Sequence, residues 1–435
     1  MPFRRGWIDR SIITRRKHVR QVKTGDWQGR GTGSHRYRAL MDVDLSRRRS
    51  AEGRVLVVGA GPVGLVCALL LRRFGADVEI IDRNTGPVSE SRATDLHPAS
   101  LEKLDAYGVT RELLDIGQVV RSATVHCGGR VAGTIRMGRS GSPFPFALTV
   151  PQCTTEGLLQ EILGSHGTKV ERGVELTEIV SHDDGVEVAT ASVTGPACRR
   201  DAYDWVIACD GATSTVRQSL GIGFLGETTT AVSAIADVEL DLPFARDEIH
   251  LFLARGGGVH VLPMPVEGYV RLMVDRWPGQ PGEPAAPDVF VDLVAERLGL
   301  DQLIPRGVRW TSSFVMHRRV ADRLRLGRVL LAGDAAHLCT PIGGQGLNCG
   351  IADAVAWVPA LISVMQGHAP EATLDHVAER RRRSAMRTVR AAWWASRVNS
   401  PNHAAVSAAR DLIAPAGVRL TRGLISRWLS GRFDS

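Results

Sequence analysis

The sequence predicts an α/β protein: a doubly wound parallel sheet, interleaved with a second, mixed or antiparallel sheet and followed by C-terminal helices. Three observations point there. An apolar, β-branched run, Arg54–Val58, ends in Gly59-Ala-Gly-Pro-Val-Gly64 and leads into an apolar helical stretch, Leu65–Phe74. A second short run, Asp77–Ile81, ends at Asp82, which completes a strand–helix–strand unit. Far downstream, Val329–Ala332 is again an apolar run that ends in Gly-Asp and precedes a glycine-rich helix start.

The 435 residues, 44% hydrophobic and 23% charged, suit a globular chain of two or three domains and exclude a fibrous one. Residues 1–40 hold 11 Lys/Arg against Asp9 and Asp26, so the net charge of +8 resides in this arm and the remainder is close to neutral. A basic, solvated extension is expected over residues 1–50, and Met41 is a second plausible start. No aromatic-and-basic reader follows the arm, so no nucleic-acid partner is expected. The arm also lacks the apolar core of a secretory signal. The longest unbroken apolar run, Leu65–Leu71, is far shorter than the roughly 20 residues of a membrane span, so no transmembrane segment is expected. The 7 cysteines form no CxxC pair, which favours a reducing cytoplasm and a role as buried small hydrophobes. His337, Cys339 and Cys349 fall short of a four-donor zinc set, and no metal is expected.

Further strands are expected at Leu148–Val150, Lys169–Arg172, Glu175–Val180, Val186–Thr190 and Trp205–Ala208, with a helix at Thr154–Gly164. Between about 226 and 311, Glu248–Leu253, Val259–Pro263 and Tyr269–Val274 alternate around a turn at Gly256-Gly-Gly258, which suggests an antiparallel sheet. The last hundred residues are rich in Ala, Arg and Leu and read as helical, with Pro359 expected to kink or end a helix.

The glycines of the first turn have separate physical tasks. Gly59 permits the tight exit from the strand, Gly61 lets backbone approach a pyrophosphate, and Gly64 allows close helix-to-strand packing. Phosphates then meet a helix N-terminus, whose free N–H groups favour negative charge. Asp82 can accept hydrogen bonds from ribose hydroxyls. This unit predicts a bound dinucleotide and leaves NAD and FAD both open.

The second constellation narrows the choice. Asp334 at a strand end accepts hydrogen bonds from polyol hydroxyls, whereas N–H groups near Gly346–Asn348 donate to an anion or carbonyl. FAD has both features, in its ribityl chain and in a flavin edge that becomes negative on reduction. Nicotinamide has no such edge.

These residues resemble a known family. Gly59–Gly64 with Asp82, then Cys209-Asp-Gly-Ala-Thr-Ser-Thr-Val-Arg217, then Gly333-Asp334 with Gly343-Gly-Gln-Gly346 are similar to the three fingerprints of single-component FAD-dependent aromatic hydroxylases, the p-hydroxybenzoate and phenol hydroxylase superfamily. Ser91-Arg-Ala-Thr-Asp-Leu-His-Pro98, and Pro151-Gln152 with Thr155-Glu156, resemble its bacterial branch acting on phenols and aromatic polyketides. The resemblance covers about residues 51–385.

It implies a Rossmann-like FAD-binding domain in which Gly59, Gly61, Pro62, Val63 and Gly64 cradle the pyrophosphate. Asp82 holds the adenosine ribose, with Arg83 beside it. Arg92 and Gln152 contact FAD, and Asp210 lies near the pyrophosphate. Gly333 and Asp334 reach the ribityl chain, while Pro341, Gly343, Gly344, Gly346, Leu347 and Asn348 line the flavin ring. Thr340 and Ile342 depart from the residues relatives often carry there, which reshapes the pocket. The implied chemistry passes a hydride from NADPH or NADH to FAD, forms a C4a-hydroperoxide with O2, and transfers one oxygen to an electron-rich ring carbon of a small aromatic substrate. A base for a phenol hydroxyl is not identified; His250 and His260 qualify by residue type alone, and His337 adjoins the flavin loop. Other readings keep the flavin: Baeyer–Villiger-type or epoxidising oxygenation, a reductase, or a non-catalytic binder of aromatic ligands.

The interleaving implies an FAD-binding domain from segments 51–115, 150–225 and 312–368, and a substrate-binding domain from 116–149 and 226–311. Residues 369–435 should pack beneath as helices, and the chain should be a monomer or a homodimer, in the latter case with these helices available for the contact.

Overall fold

The computed structural model describes residues 51–88, 93–138, 142–240, 242–254, 256–399 and 404–431; the basic arm and Arg92 lie outside the described residues. Its first sheet has six strands. β1 (Ala51–Val58) pairs in parallel with β2 (Ala76–Asp82) on one side and with β12 (Trp205–Ala208) on the other. β8 (Val170–Arg172) continues in parallel beyond β2, β19 (Val329–Leu331) does so beyond β12, and β18 (Arg325–Leu326) adds an antiparallel edge. Central strands of such a sheet are covered on both faces and read as unbroken apolar runs. Val55, Leu56 and Val57 accordingly have no exposed surface.

Helix α1 (Pro62–Arg73) follows β1 directly, with Gly61 as its N-cap and Pro62 in the first turn, where a missing N–H costs nothing. Leu65–Leu71 is entirely buried, because α1 packs on the sheet and on two other helices, α4 (Gln152–Ser165) and α7 (Gln345–Met365). Two short helices, α2 (Pro98–Asp105) and α3 (Val109–Ile116), flank this layer. They lead to a small antiparallel sheet in which β7 (Ala147–Thr149) sits between β3 (Asp95–Leu96) and β4 (Gln118–Val120). A further meander, β9 (Val174–Ser181), β10 (Val186–Ser192) and β11 (Cys198–Tyr203), precedes β12.

The second sheet has eight strands in the order β20 (His337–Leu338), β17 (Gly307–Ala321), β13 (Phe224–Glu239), β16 (Tyr269–Asp275), β15 (Val259–Pro263), β14 (Glu248–Leu253), β5 (Ser122–Cys127) and β6 (Arg130–Arg136). It is antiparallel except where β14 meets β5. Strand alternation gives it two distinct faces. Ala234, Ala236, Val238, Val261 and Leu272 lie under Phe290, Val291 and Val294 of α6 (Pro287–Leu298). On the opposite face Ile235, Met273, Phe314 and Met316 gather around Ile342.

Two expectations need correction. Of the two outcomes expected at Pro359, an end to the helix is not found: α7 runs on to Met365. Trp357, Val358, Leu361 and Ile362 are buried on both sides of the proline, and the Trp357 indole N–H donates to the Leu331 carbonyl at 3.0 Å, so packing outweighs the one backbone bond that proline removes. By length and composition α7 could cross a membrane, although no unbroken apolar run reveals it. Here it is a core helix, wedged between α1 and α8 (Ala372–Asn399), with Asn348 and Asp353 buried along it. The last helix, α9 (Ala404–Leu429), does not lie beneath the first sheet. Ala414, Val418, Ile425 and Leu429 share one helical face, which packs on Val125, Ala132, Ile135 and Met137 of the second. Cysteine burial is also uneven: Cys67, Cys127 and Cys349 are buried, whereas Cys198 is exposed on β11.

Candidate functional site

Strand order determines the site. β19, β12, β1 and β2 are neighbours, and each terminates at one edge of the sheet in a residue singled out by the sequence: Gly333-Asp334, Asp210, Gly59 and Asp82. Three strand spacings of roughly 4.8 Å set these tips along about 14 Å, comparable with an extended dinucleotide.

The first turn is built to bring chain close to chain. Gly59 has φ +99°, and a Cβ there would strike the Cys209 carbonyl. A Cβ on Gly64 would strike the Gly59 carbonyl oxygen. Gly61 differs: a Cβ there meets nothing within 4 Å. Its bareness serves no contact inside the described protein, and the open space lies at the N-terminus of α1, where backbone donors are unpaired. Asp82 is buried and ties the turn together. Its Oδ2 accepts from the Ala60 N–H at 2.7 Å, its Oδ1 accepts from the Asn84 N–H at 2.8 Å, and Arg172 stands at 3.7 Å. Val63 fills the space between Gly333 and Gly350, and Arg83 is exposed.

Asp210 is held by helix α5 (Thr215–Ser219). Its Oδ2 accepts from the Val216 N–H at 3.1 Å, whereas its Oδ1 is buried without a partner among the described residues. Burial raises its pKa above the ordinary value, with Ser214 and the Val216 N–H acting in opposition. Arg217 does not bond Asp210. It donates to the Ala335 and Ala212 carbonyls at 2.9 Å each, and so fastens α5 to the loop after Asp334. Gln152, at the start of α4, donates to Glu156 at 2.8 Å.

Asp334 combines two properties. Its side chain is exposed by area, yet burial raises its carboxyl pKa. Both hold if the carboxylate opens into a recess enclosed by protein. The following chain turns through Gly343 and Gly344, with φ of +78° and +62°, and α7 begins at Gln345. The first N–H groups of this 21-residue helix, including those of Gly346 and Leu347, carry its positive dipole end. The Asn348 side chain faces elsewhere: its Oδ1 accepts from the His97 N–H at 2.8 Å, and its Nδ2 donates to the carbonyls of Asp95 and Gly344. Thr340 Oγ1 donates to the Ala392 carbonyl at 3.0 Å, which ties the residue before Pro341 to α8.

The loop is roofed by the second sheet, where Ile342 packs among Ile235, Met273, Phe314 and Met316. Beside this apolar surface lies a buried ion pair. Arg271 binds Asp237 through two bonds of 2.7 and 2.8 Å, and the Trp310 indole donates to the same carboxylate at 2.9 Å.

The three histidines separate. His250 lies on the other face of the second sheet, stacked on Phe244 and bonded to His126 at 2.9 Å, and is removed from the loop. His260 is on the near face, within reach of Asn399 and Asp275, and burial lowers its pKa. His337 Nε2 bonds Asp353 at 2.6 Å, while its Nδ1 is buried without a hydrogen-bond partner among the described residues; Arg381 binds the same carboxylate at 2.8 Å, and Cys349 lies beside this cluster.

Sequence reasoning missed Asp353, whose Oδ2 accepts from the Gly333 N–H at 3.0 Å and thereby orients the Gly333-Asp334 turn. Its spacing from Gly333 resembles any helical acid, so no local signal marks it. Trp428 of α9, which touches Gly343, was missed for the same reason.

Residues 52–392 match the family model of an FAD binding domain. The chain is 35% identical over 337 residues to a 6-methylpretetramide 4-monooxygenase of Streptomyces rimosus, covering 75% of this chain and 59% of that one. It is 35% identical to a rifampicin monooxygenase of Streptomyces venezuelae, covering 74% of this chain and 66% of the other. It therefore spans about three fifths to two thirds of these relatives' length. Among solved structures, p-nitrophenol 4-monooxygenase from Pseudomonas putida superimposes with a TM-score of 0.74 at 26% identity, over 87% of this chain and 98% of that one.

Proposed function

Since the chain belongs to the FAD binding domain family, we propose that it is an FAD-dependent, NAD(P)H-consuming monooxygenase that hydroxylates a phenolic or polyketide-like aromatic substrate. The observation that carries this reading is the row of strand ends, with their acids and bare glycine turn, whose last member at Asp334 leads into a loop where Ile342 packs among Ile235, Met273, Phe314 and Met316.

The residues present fit FAD. The open space at Gly61 accommodates a pyrophosphate against the α1 N-terminus, with Gly59, Pro62, Val63 and Gly64 shaping the turn. Asp82 and Arg83 lie on the adenosine side. Asp210, with its unpartnered Oδ1, stands beside the pyrophosphate and Gln152 flanks it. Asp334 would accept from ribityl hydroxyls, and the free N–H groups of Gly346 and Leu347 would meet the flavin edge, with Pro341, Gly343, Gly344 and the Asn348 turn along the ring.

When bound, FAD accepts a hydride from NADPH or NADH and activates O2 for insertion into an aromatic ring. The protein's own contribution is to bind, orient and exclude water. The α7 N-terminus stabilises negative charge at the flavin edge by about 1 kcal/mol or more in a shielded site. The apolar roof keeps solvent off the reacting ring, and Asp353 orients the turn that presents Asp334.

The test is the purified chain itself. A yellow protein, or one that takes up added FAD, should oxidise NADPH or NADH faster in the presence of a phenol or polyketide intermediate, with labelled O2 appearing in the product. Colourless protein that refuses FAD removes the proposal. Reduction of substrate without labelled oxygen selects a reductase in its place.

A further inference from the structure

Trp428 stands near the end of α9, yet it belongs to the loop it touches. A side chain on Gly343 would run into its ring, and Gln345 Nε2 donates to the Trp428 carbonyl at 2.9 Å. The chain just beyond is pinned on both sides. The Ser430 carbonyl accepts from the Ala99 N–H at 3.1 Å, and Ser430 Oγ accepts from the Gly138 N–H at 3.1 Å. The indole is therefore presented at a definite place by a helix that otherwise covers the far end of the second sheet.

It packs against Ile235, Met273, Phe314, Met316 and Ile342, the apolar roof of the glycine-rich loop, and on its other side against the cluster beneath α9 that includes Val125 and Ile135. The indole Nε1–H is buried there and has no acceptor among the described residues. Leaving a buried donor unpaired is costly, and tryptophan N–H groups ordinarily find a partner. An apolar wall with one fixed donor is the make-up of a pocket for a flat ring that carries an oxygen.

We propose that Trp428 is a substrate-recognition residue, whose indole N–H donates to a hydroxyl or carbonyl oxygen of the aromatic substrate while its ring closes the pocket on the side of α9. This rests on the aromatic-substrate reading above and adds a specificity element from outside the three motifs. Phenylalanine at this position keeps a ring and loses the donor, so it separates hydrogen bonding from packing.

The experiment uses the full chain loaded with FAD and the hydroxyanthraquinone alizarin as probe. In proton–nitrogen correlation spectra of labelled protein, the indole resonance lost in Trp428→Phe identifies Trp428. Alizarin should move that resonance downfield in the parent, and Trp428→Phe should bind alizarin about tenfold more weakly with unchanged FAD content. The proposal is overturned if alizarin binds the parent while leaving the resonance in place, or if Trp428→Phe binds it as tightly. It is equally overturned if Trp428→Phe loses FAD, since the acceptor then belongs to the cofactor. A loaded parent that binds no alizarin at all fails the aromatic-substrate reading itself, and the proposal with it.

Discussion

His337 Nε2 stands 2.6 Å from Asp353 Oδ2, and both side chains are buried, three residues beyond Asp334 in one case and within α7 in the other. Asp353 also accepts from Arg381 at 2.8 Å and from the Gly333 N–H at 3.0 Å, so one carboxylate joins two cations to the turn that carries Asp334. Burial by itself lowers the imidazole's pKa, but Cys349 and the Asp353 carboxylate beside it carry it well above its ordinary 6.5. Burial raises the Asp353 carboxyl, and the two cations more than reverse this, to below 3.8.

The signs define a pH window. The contribution of His337 is complete below about 6.5 and is lost as pH rises through its raised folded value; that of Asp353 is present above 3.8 and is lost as pH falls through its lowered one. Melting temperature should therefore decline on the alkaline side, and His337→Gln should flatten that decline. Asp353→Asn strands a buried guanidinium and should cost about 3–5 kcal/mol in urea unfolding. An alkaline limb of equal slope in His337→Gln would show that another group titrates there.

Asp334→Ala removes a carboxylate that accepts no hydrogen bond from the described residues and interacts with His337 only through charge. The variant should fold with parental far-ultraviolet circular dichroism and lose most of its FAD. The flavin-to-protein absorbance ratio after gel filtration measures this, and an unchanged ratio refutes the ribityl assignment.

Gly61 and Gly64 lie in one turn and should respond oppositely. Gly61→Val adds atoms to empty space, so the apo-protein should keep its melting temperature while cofactor occupancy drops sharply. Gly64→Ala forces Cβ into the Gly59 carbonyl and should cost about 1–3 kcal/mol or more whether or not FAD is present. Full occupancy in Gly61→Val would mean that the pyrophosphate does not occupy that space.

Arg271 and Asp237 are 3% and 2% exposed, which makes them a pair that cannot be halved cheaply. Asp237→Leu alone should destabilise by about 3–5 kcal/mol by leaving the guanidinium buried without its carboxylate. Arg271→Met combined with it should recover much of that loss, because both charges are then gone. A double-mutant cycle by urea unfolding measures the coupling, and additive losses would show that the two charges act independently.

The strands and helices of the first sheet were legible because each central parallel strand is buried on both faces, so its apolar run needs no partner to be recognised. Trp205–Ala208, Glu248–Leu253 and Val259–Pro263 agree with the observed strands residue for residue. Less legible were β13 and β17, whose polar and small residues, such as Glu227-Thr-Thr-Thr230, break any alternation. What holds them extended is their mutual ladder from Phe224↔Ala321 to Glu239↔Gly307, a long-range pairing with no local mark. Pro359 misled for a related reason, since a local rule about proline says nothing of the core on either side of it.

On its own, the sequence determined the chemistry at each strand tip: which turns lack side chains, which carry acids, and which helices begin with free donors, all consequences of residue type and spacing. Only the tertiary structure decided that β19, β12, β1 and β2 lie side by side, that Asp353 orients Asp334, and that Trp428 reaches the loop at Gly343. Those depend on hydrogen-bond pairing and packing between segments far apart in the chain, which leave no trace in any short stretch of it.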